Sequence, residues 1–418
     1  MKTRLDRDAV IPEKEYVTDY VHQVCEPGGE LVFPLRGAKP LVSVGEEVRT
    51  GQPLGRNTNG RPCAHSSASG TVKTIERRND GRGETMCIVV DNDRKFLPVQ
   101  PPESISDWQE LGRQELLNKI LDGGAVGIHP RRCPTAARLE ELGSEDVARV
   151  IVDGTEWEPY VSSDDDTLRT HSFGVVTGLR ILLRLFPGAE GLILIGDDKQ
   201  SALNYILDAA RDAGGISVVS TPAGRPLGDE QMIAQLFSGG ERAHTVVVTP
   251  TEANAVCEAV CSGIPLMRRV VTVAGSAVKN PGNYLVRVGM SCAELLAAAG
   301  GLRPGTTAEK AVLGGAMTGL SLTSLEVPVQ KDTAALLLFE SSGEEAETAC
   351  IRCGRCARVC PAGLMPMLLT QAAERGDPAR FDSLRGQKCV ECGACTWICP
   401  AKRPLARSIR YALTLAGR

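Results

Sequence analysis

The chain has 418 residues with 51 acidic and 47 basic side chains, and its net charge of −4 gives no sign of a nucleic-acid-binding protein. No run of eighteen apolar residues occurs, so we expect no transmembrane helix, and the N-terminus lacks the apolar segment of a signal peptide. These features, with many glycines and few aromatic residues, predict a cytoplasmic, multidomain α/β protein whose cysteines bind metal.

Residues 29–100 contain two stretches, 40–55 and 65–75, in which apolar and turn residues alternate. This pattern is typical of short β-strands. The pair resembles the barrel-sandwich fold of biotinyl and lipoyl carriers, which hold a modified lysine in the hairpin between the two halves. The corresponding hairpin, residues 56–64, has no lysine. We therefore expect residues 1–105 to form a structural or docking domain.

The next segment, residues 106–262, alternates predicted strands with helices. Strands are predicted at 148–153, 191–196, 216–220 and 245–249, with a helix over 198–213. Such βαβ units predict a Rossmann-like α/β domain with a parallel or mixed sheet and helices on both faces. The segment has no G-x-G-x-x-G motif, so the usual dinucleotide fingerprint is missing.

Residues 263–344 show a third pattern. Residues 269–275 and 283–288 predict a hairpin joined by a turn at 279–282. A short helix over 292–299 then ends at two glycines, which suit a helix C-terminus. This is a β-grasp pattern, of the type called SLBB.

Two cysteine runs in residues 345–418 share the spacing C-x2-C-x2-C-x3-C-P, which is typical of proteins that hold two [4Fe–4S] clusters. Gly354 and Gly393 allow the tight turn inside each run. The fourth cysteine of each run binds the other cluster in two-cluster ferredoxins. The predicted ligands are Cys350, Cys353, Cys356 and Cys399 for cluster one and Cys389, Cys392, Cys395 and Cys360 for cluster two. Zinc sites or disulfides are the alternative, but zinc motifs usually separate their ligand pairs by a longer gap.

The order barrel-sandwich, α/β, β-grasp and helical two-cluster ferredoxin domain resembles the RnfC family, the C subunits of the Rnf electron-transport complex, over nearly the whole chain. The most specific stretches are residues 268–283, 350–356 and 399–405. The α/β domain is also similar to the 51 kDa flavin- and NADH-binding subunit of respiratory complex I. In that family NADH reduces FMN, and FMN then passes single electrons to clusters. The resemblance implies FMN and NADH as further cofactors, and ferredoxin, a reductase or Rnf membrane subunits as partners.

The glycine-rich loop of that family, G-L-G-G-A-G-F-P-T, is altered in this sequence. Gly127 is kept, but His129 and Pro130 replace glycines, and Arg131 and Arg132 occupy positions of small residues. Proline has no N–H to donate, and the conformational freedom of glycine is lost. This loop therefore argues against close backbone contact with a flavin, and against NADH dehydrogenase activity.

Other positions of the flavin pocket match the family in part. By alignment, Glu156 and Glu158 keep its two acidic positions at a strand end. Gly228 and Glu230 keep part of its Y-P-x-G-G-E-K segment, whose Tyr and Lys are absent here. The resemblance implies that Gly127, Glu156, Glu158, Gly228 and Glu230 line an FMN and NADH pocket.

Cys133 follows Arg131 and Arg132 and precedes a predicted helix. A thiol at a helix N-terminus beside two arginines is expected to have a lowered pKa and to be reactive. One hypothesis is that a redox thiol replaces the flavin here, which would suit an electron carrier of the proline-reductase-associated type. The alternative is a small buried apolar residue.

Two charged groups allow more than one interpretation. Residues 164–166, three aspartates, are expected to form a solvated loop, with a helix cap or flavin neighbour as alternatives. Four basic residues follow the second run and form a solvated helix face, a surface for an acidic ferredoxin-like partner, or a group that offsets the cluster charge. They are Lys402, Arg403, Arg407 and Arg410.

The sequence predicts an RnfC-like electron-transfer protein that passes single electrons through two [4Fe–4S] clusters to or from a redox partner. One alternative is an intact NADH:FMN-dependent dehydrogenase subunit, and another is a non-catalytic scaffold subunit. We expect a cytoplasmic location, or a peripheral one on the cytoplasmic face of a membrane. The ligand spacing leaves the donor, the acceptor and the cluster potentials open.

Overall fold

A computed structural model describes residues 22–58, 61–99, 107–125, 139–142, 147–222, 233, 244–343 and 346–415. The strands are β1 Gln23–Cys25, β2 Glu30–Pro34, β3 Lys39–Pro40, β4 Glu47–Val48, β5 Pro53–Arg56, β6 Pro62–His65, β7 Gly70–Asn79, β8 Glu84–Asn92, β9 Val147–Gly154, β10 Glu190–Gly196, β11 Ile216–Thr221, β12 His244–Val248, β13 Arg268–Ala274, β14 Gly282–Arg287, β15 Lys310–Leu313, β16 Leu320–Leu322 and β17 Ala335–Phe339.

The α-helices are α1 Arg113–Gly123, α2 Ser163–Thr170, α3 Ser172–Leu185, α4 Gln200–Ala209, α5 Pro250–Ser262, α6 Cys292–Ala298, α7 Arg355–Val359, α8 Pro366–Glu374, α9 Pro378–Ser383, α10 Ala394–Trp397 and α11 Leu405–Leu415. Short 3₁₀ helices occupy Trp108–Glu110 and Gly386–Lys388. Within the described ranges, no helix is both long and apolar enough to cross a membrane.

Two small antiparallel sheets form the barrel-sandwich domain, with strand orders β2-β8-β7-β4 and β3-β5-β6. Alternate residues of the strands point inwards, and both sheets share one core that includes Leu31, Leu54 and Ile88. The predicted barrel-sandwich fold is confirmed.

The α/β domain holds a parallel sheet in the order β11-β10-β9-β12. On one face, Val150 and Val152 share a core with the apolar sides of α1, α3 and α5. On the other face, Ile151 and Leu194 pack with Ile233. Burial on both faces is characteristic of parallel sheets and accounts for the continuous runs of valine and isoleucine in these strands.

Strand β12 passes directly into α5 because the local sequence caps the helix. The Thr249 hydroxyl accepts a hydrogen bond from the Glu252 N–H at 3.2 Å, and the Glu252 carboxylate accepts one from the Thr249 N–H at 2.7 Å. This is a capping box, with Pro250 in the first turn. The helix ends at Gly263, whose φ is +63°.

The β-grasp domain contains a six-stranded sheet in the order β1-β14-β13-β17-β15-β16. Strands β13 and β14 form the predicted antiparallel hairpin, and α6 is the predicted short helix. Strand β1, which precedes the barrel-sandwich strands in sequence, pairs in parallel with β14. The N-terminal segment thus adds an edge strand to this sheet, which sequence periodicity did not predict, and the domain boundaries at 105, 262 and 344 stay predictions.

The C-terminal domain consists of short helices around a core that includes Leu369, Phe381 and Ile409. Gly354 and Gly393 directly precede α7 and α10 with φ values of +72° and +76°. This is the left-handed conformation expected for the two tight turns, and it brings the cysteines of each run around the start of a short helix.

Candidate functional site

Four cysteines from both sequence runs surround one cavity of about 120 Å³. They are Cys350, Cys353, Cys356 and Cys399, called here the first cysteine group. Three come from the first run and one from the second, as in the predicted ligand set of cluster one. Burial raises the pKa of the Cys356 thiol, and negative charge on Cys399 or Cys350 would raise that pKa further. The donor set and the cavity fit a [4Fe–4S] cube held by four thiolates.

The other four cysteines of the two runs, Cys389, Cys392, Cys395 and Cys360, form the second cysteine group. Burial raises the pKa of the Cys392 thiol to about 12, and charge on the neighbouring Cys360 and Cys389 adds to the rise. Backbone N–H groups also point at these sulfurs, with Leu364 donating to Cys360 at 3.3 Å and Glu391 donating to Cys389 at 3.4 Å. Such hydrogen bonds tune the reduction potential of a bound cluster. The role of the eight cysteines as ligands stays a prediction.

A second cavity of about 90 Å³ lies between the α/β and β-grasp domains. It is lined by Asp153 near the end of β9, by Glu156 and Glu158 in the segment that follows β9, and by Thr249 directly after β12. Residues 313–315 and 318–320, with part of 330–334, line the opposite side. The carboxyl ends of parallel strands are where open α/β sheets bind ligands. We call this cavity the acidic pocket.

Glu156 organises the wall of the acidic pocket. Its carboxylate accepts hydrogen bonds from the backbone N–H groups of Asp164 at 2.8 Å and Asp165 at 3.2 Å. These N–H groups belong to the first turn of α2, where a helix carries partial positive charge. Glu156 itself has a φ of +42°, so the strand turns sharply to bring the carboxylate to the helix. Glu156 therefore stabilises α2.

Glu158 reaches into the neighbouring domain. It accepts hydrogen bonds from the backbone N–H of Met317, at 3.0 Å, and from the hydroxyl of Thr318. The contact is close, because a Cβ atom on Gly315 would lie 2.1 Å from the Glu158 carboxyl carbon. The hydrogen bonds to Glu158 thus hold residues 314–319 of the β-grasp domain against the α/β domain.

The expectation that residues 164–166 form a solvated loop is wrong. All three aspartates lie in α2 and are buried, with exposures of 6%, 7% and 0%. Burial is possible because each carboxylate has a partner: the Thr251 hydroxyl donates to Asp164, Arg169 pairs with Asp165, and His22 pairs with Asp166. They occupy the first turn of α2 after its N-cap residue, Ser162, so the helix-cap alternative is not met either.

Asp164 lines the acidic pocket, and its pKa is raised to about 7. Burial is the main cause, and the negative charge of Glu156 adds to it, while the Thr251 hydroxyl and the buried Arg269 oppose the rise. A carboxyl group of this kind exchanges a proton near neutral pH, which is a property of acid–base groups in functional sites.

Two buried lysines were missed by the sequence analysis. Lys199 follows β10, and the carboxylates of Glu156, Asp198 and Asp165 raise its pKa although burial alone would lower it. Lys331 donates to the Gly124 carbonyl at 3.0 Å and lies 3.4 Å from His65 Nδ1. Burial lowers the pKa of Lys331 to about 8. The position of Lys199 shortly after a buried strand is a sequence feature that could have identified it. Lys331 contacts residues of two other domains, and no feature of its neighbouring sequence indicates those contacts.

The other predicted pocket residues, Gly127, Cys133, Gly228 and Glu230, lie outside the described residues, as do Arg131 and Arg132. The altered glycine loop and the redox thiol therefore stay predictions. The basic residues after the second run are described: Arg403 pairs with Glu374 and Glu347, and Arg410 pairs with Glu391. Two of the four basic residues are therefore paired with carboxylates, and the surface for an acidic partner stays a prediction.

The four domains and the two cysteine groups define an iron–sulfur electron-transfer protein that includes a flavin-type α/β domain. Four family models match the chain: the RnfC barrel sandwich hybrid domain at 10–95, the Nuo51 FMN-binding domain at 120–266, the SLBB domain at 270–321 and the 4Fe-4S dicluster domain at 349–402. These matches agree with the predicted architecture.

Several relatives match most of the chain, and two of them show the range of coverage. Over 383 residues it is 30% identical to the C subunit of the proton-translocating ferredoxin:NAD(+) oxidoreductase complex of Clostridium ljungdahlii, covering 87% of this chain and 83% of that protein. Over 359 residues it is 33% identical to the C subunit of the ion-translocating oxidoreductase complex of Klebsiella pneumoniae, covering 81% of this chain but only 47% of that protein. The chain thus spans about half the length of the Klebsiella protein. Among solved structures, a chain of an NAD+-reducing [NiFe]-hydrogenase matches with 16% identity and a TM-score of 0.48, covering 72% of this chain and 61% of that one.

The chain belongs to the RnfC family, the C subunits of ion-translocating oxidoreductase complexes. It is an RnfC-like electron-transfer protein with a 4Fe–4S dicluster domain, as the cysteine runs predicted. It also contains the FMN-binding type of α/β domain.

Proposed function

We propose that the chain relays single electrons between a donor site in its α/β domain and a partner protein, through two [4Fe–4S] clusters held by the first and second cysteine groups. The observation that carries this proposal is the cavity enclosed by three cysteines of one run and the last cysteine of the other. Crossed ligation requires this arrangement and keeps two clusters close enough for rapid transfer between them.

A contiguous set of contacts joins the acidic pocket to the second cysteine group. Glu158, which lines the pocket, binds the N–H of Met317. Met317 in turn packs against Gly393, between Cys392 and Cys395. This contact supports a route in which the second cluster exchanges electrons with the α/β domain and the first cluster exchanges them with the outside.

Bound FMN would accept a hydride from NADH and release the electrons one at a time. Among the described residues, Asp153, Glu156, Glu158 and Thr249 would border such a group. Both glutamates already bind groups within the chain, so their role is to hold the walls of the pocket in place. A second candidate function is an NADH-oxidising subunit of an Rnf-type complex. The matching FMN-binding domain and the position of the pocket at the strand ends support it.

The partners that suit this function are redox proteins: a ferredoxin, a reductase or the other subunits of an Rnf-type complex. Both relatives described above are named as members of a complex. Such an assembly would suit a peripheral position on the cytoplasmic face of a membrane.

The test is anaerobic purification of the full chain with reconstituted clusters, followed by iron, sulfide and flavin analysis. NADH and dithionite are then added separately while cluster absorbance is recorded. Clusters that dithionite bleaches and NADH does not, in a protein without flavin, support a relay fed by another donor. Stoichiometric FMN with bleaching by NADH supports the second candidate. Failure to assemble about eight irons per chain would overturn both.

A further inference from the structure

The two cysteine runs share one spacing but differ in charge at three matching positions. Arg352, Arg355 and Arg358 of the first run correspond to Glu391, Ala394 and Trp397 of the second. All three arginines are exposed. Within the described part of the chain, none of their guanidinium groups takes part in an ion pair or a hydrogen bond. Three unneutralised positive charges therefore lie within one cysteine motif and not within the other.

These arginines lie beside the more exposed of the two cysteine groups. Cys350 and Cys353 are exposed, whereas Cys389, Cys392 and Cys360 are only partly exposed and Cys395 is buried. Ile351, between Cys350 and Arg352, is 66% exposed. An exposed apolar side chain surrounded by charges is a common composition for a protein-binding surface. The edge of the first cysteine group is thus open to a partner.

The two glycines show the same asymmetry. A Cβ atom on Gly393 would lie 2.8 Å from the Met317 carbonyl oxygen, so the β-grasp domain covers the second cysteine group at this point. A Cβ atom on Gly354, in the corresponding position of the first run, would meet nothing within 4 Å. The second group faces the rest of the chain, and the first group faces outwards.

Nearby acidic residues offset only part of the positive charge of this edge, because two carboxylates share Arg403. Glu374, which lines the first cysteine cavity, forms an ion pair with Arg403 at 2.8 Å. Glu347 also pairs with Arg403, at 3.4 Å. Both carboxylates are therefore engaged with a different arginine from the three in the motif.

We propose that Ile351, Arg352, Arg355 and Arg358, the arginine rim, dock an acidic one-electron redox protein at the first cysteine group. The inference rests on the proposed function, because it requires a cluster at this group. One electron passes between that cluster and the centre of the partner. The donor is oxidised by one electron, the acceptor is reduced by one, and no covalent bond is made or broken. Charge attraction steers the two proteins together and brings the exposed cluster edge towards the partner.

The test uses the full chain with reconstituted clusters and, as the probe, a small acidic ferredoxin with two [4Fe–4S] clusters. Anaerobic stopped-flow and surface-binding measurements at low and high salt give the association rate and the affinity. The rim variant is R352E/R355E/R358E. The matched control, R184E/R375E/R380E, reverses three other exposed arginines and changes the net charge equally. Iron content and dithionite reduction are measured for every protein.

We expect the rim variant to associate roughly tenfold or more slowly at low salt, to lose most of its salt dependence, and to retain its clusters. The control should behave like the parent chain. Equal losses in both variants would mean that only net charge matters and would overturn the inference, as would unchanged binding in the rim variant. If the rim variant loses iron, R352Q/R355Q/R358Q provides the same comparison without charge reversal.

Two further probes distinguish other partners. Anionic lipid vesicles and duplex DNA are tested with the same proteins. Loss of binding to either of these in the rim variant, with ferredoxin binding intact, would overturn the inference. Absence of clusters in the parent chain would instead contradict the proposed function, so the two failures are separable.

Discussion

Glu158 of the α/β domain accepts a hydrogen bond from the backbone N–H of Met317 in the β-grasp domain at a distance of 3.0 Å. Met317 also packs on Gly393 of the cluster domain. One short loop therefore contacts the acidic pocket on one side and a cysteine run on the other. The geometry of three domains at the proposed redox route depends on this loop.

Replacing Glu158 by alanine is expected to loosen the loop. The backbone N–H of Met317 and the hydroxyl of Thr318 would lose a charged acceptor, at a cost of about 1–3 kcal/mol in the free energy of unfolding. Urea denaturation followed by tryptophan fluorescence measures this cost. The control is Glu84→Ala, at an exposed position on β8. Equal stability of the two variants would contradict a structural role for Glu158.

The two glycines of the cysteine runs provide a matched pair. Both Gly354→Ala and Gly393→Ala place a side chain at positive φ, which costs roughly 1–2 kcal/mol. Only Gly393→Ala also pushes against the Met317 carbonyl. We expect Gly393→Ala to lower the melting temperature more and to change the electron paramagnetic resonance signal of the second cluster. Identical effects of the two substitutions would show that the contact with Met317 has no energetic weight.

Local patterns in the sequence predicted the elements that local interactions define. The strands of the parallel sheet, the β13–β14 hairpin and the left-handed glycines follow from residue periodicity and turn chemistry. The predicted helix over 198–213 is shorter in the structure, Gln200–Ala209, because helix ends depend on capping contacts rather than on periodicity.

Long-range partners were not predictable in the same way. The three aspartates at 164–166 look like a solvated loop because their sequence neighbours are polar. The groups that make their burial possible include His22 and Thr251, which lie 144 and 87 residues away. Family resemblance predicts Glu158 as a residue of a flavin pocket, but its hydrogen-bond partner lies 159 residues further along the chain. Such pairings exist only after the domains have packed.

The raised pKa of Asp164 predicts how the stability of the folded chain depends on pH. Its pKa is raised to about 7 in the folded chain, mainly by burial and then by Glu156, whereas an unfolded aspartate has a pKa of about 3.9. Between these values the folded state holds the extra proton. The stability that this group contributes is therefore full below about pH 4 and declines as the pH rises towards 7.

Asp164→Asn removes this titration, and the asparagine oxygen still accepts the hydrogen bond from Thr251. The melting temperature of the variant relative to the parent chain should therefore rise between pH 5 and pH 7.5. This interval covers most of the range between the unfolded and folded pKa values, about 4 and about 7. Asp208→Asn, on an exposed part of α4, serves as the control. A difference that stays constant with pH would contradict the raised pKa.

Cys360 belongs to the first run in sequence but lies with Cys389, Cys392 and Cys395 in the second cysteine group. If ligation is crossed, replacing Cys360 and Cys392 together by alanine removes ligands from one cluster only. The chain should then keep about four irons and a single cluster signal. Replacing Cys360 and Cys356 together removes one ligand from each cluster, and most iron should be lost.

The two double variants exchange their outcomes if each run holds its own cluster. In that case Cys360→Ala with Cys356→Ala leaves one cluster intact, whereas Cys360→Ala with Cys392→Ala damages both. Iron and sulfide analysis, together with electron paramagnetic resonance of the dithionite-reduced proteins, distinguishes the two patterns. Because each variant lacks two cysteines, the comparison does not depend on the number of thiols. It therefore tests the pairing of cysteines between the two runs and not merely their presence.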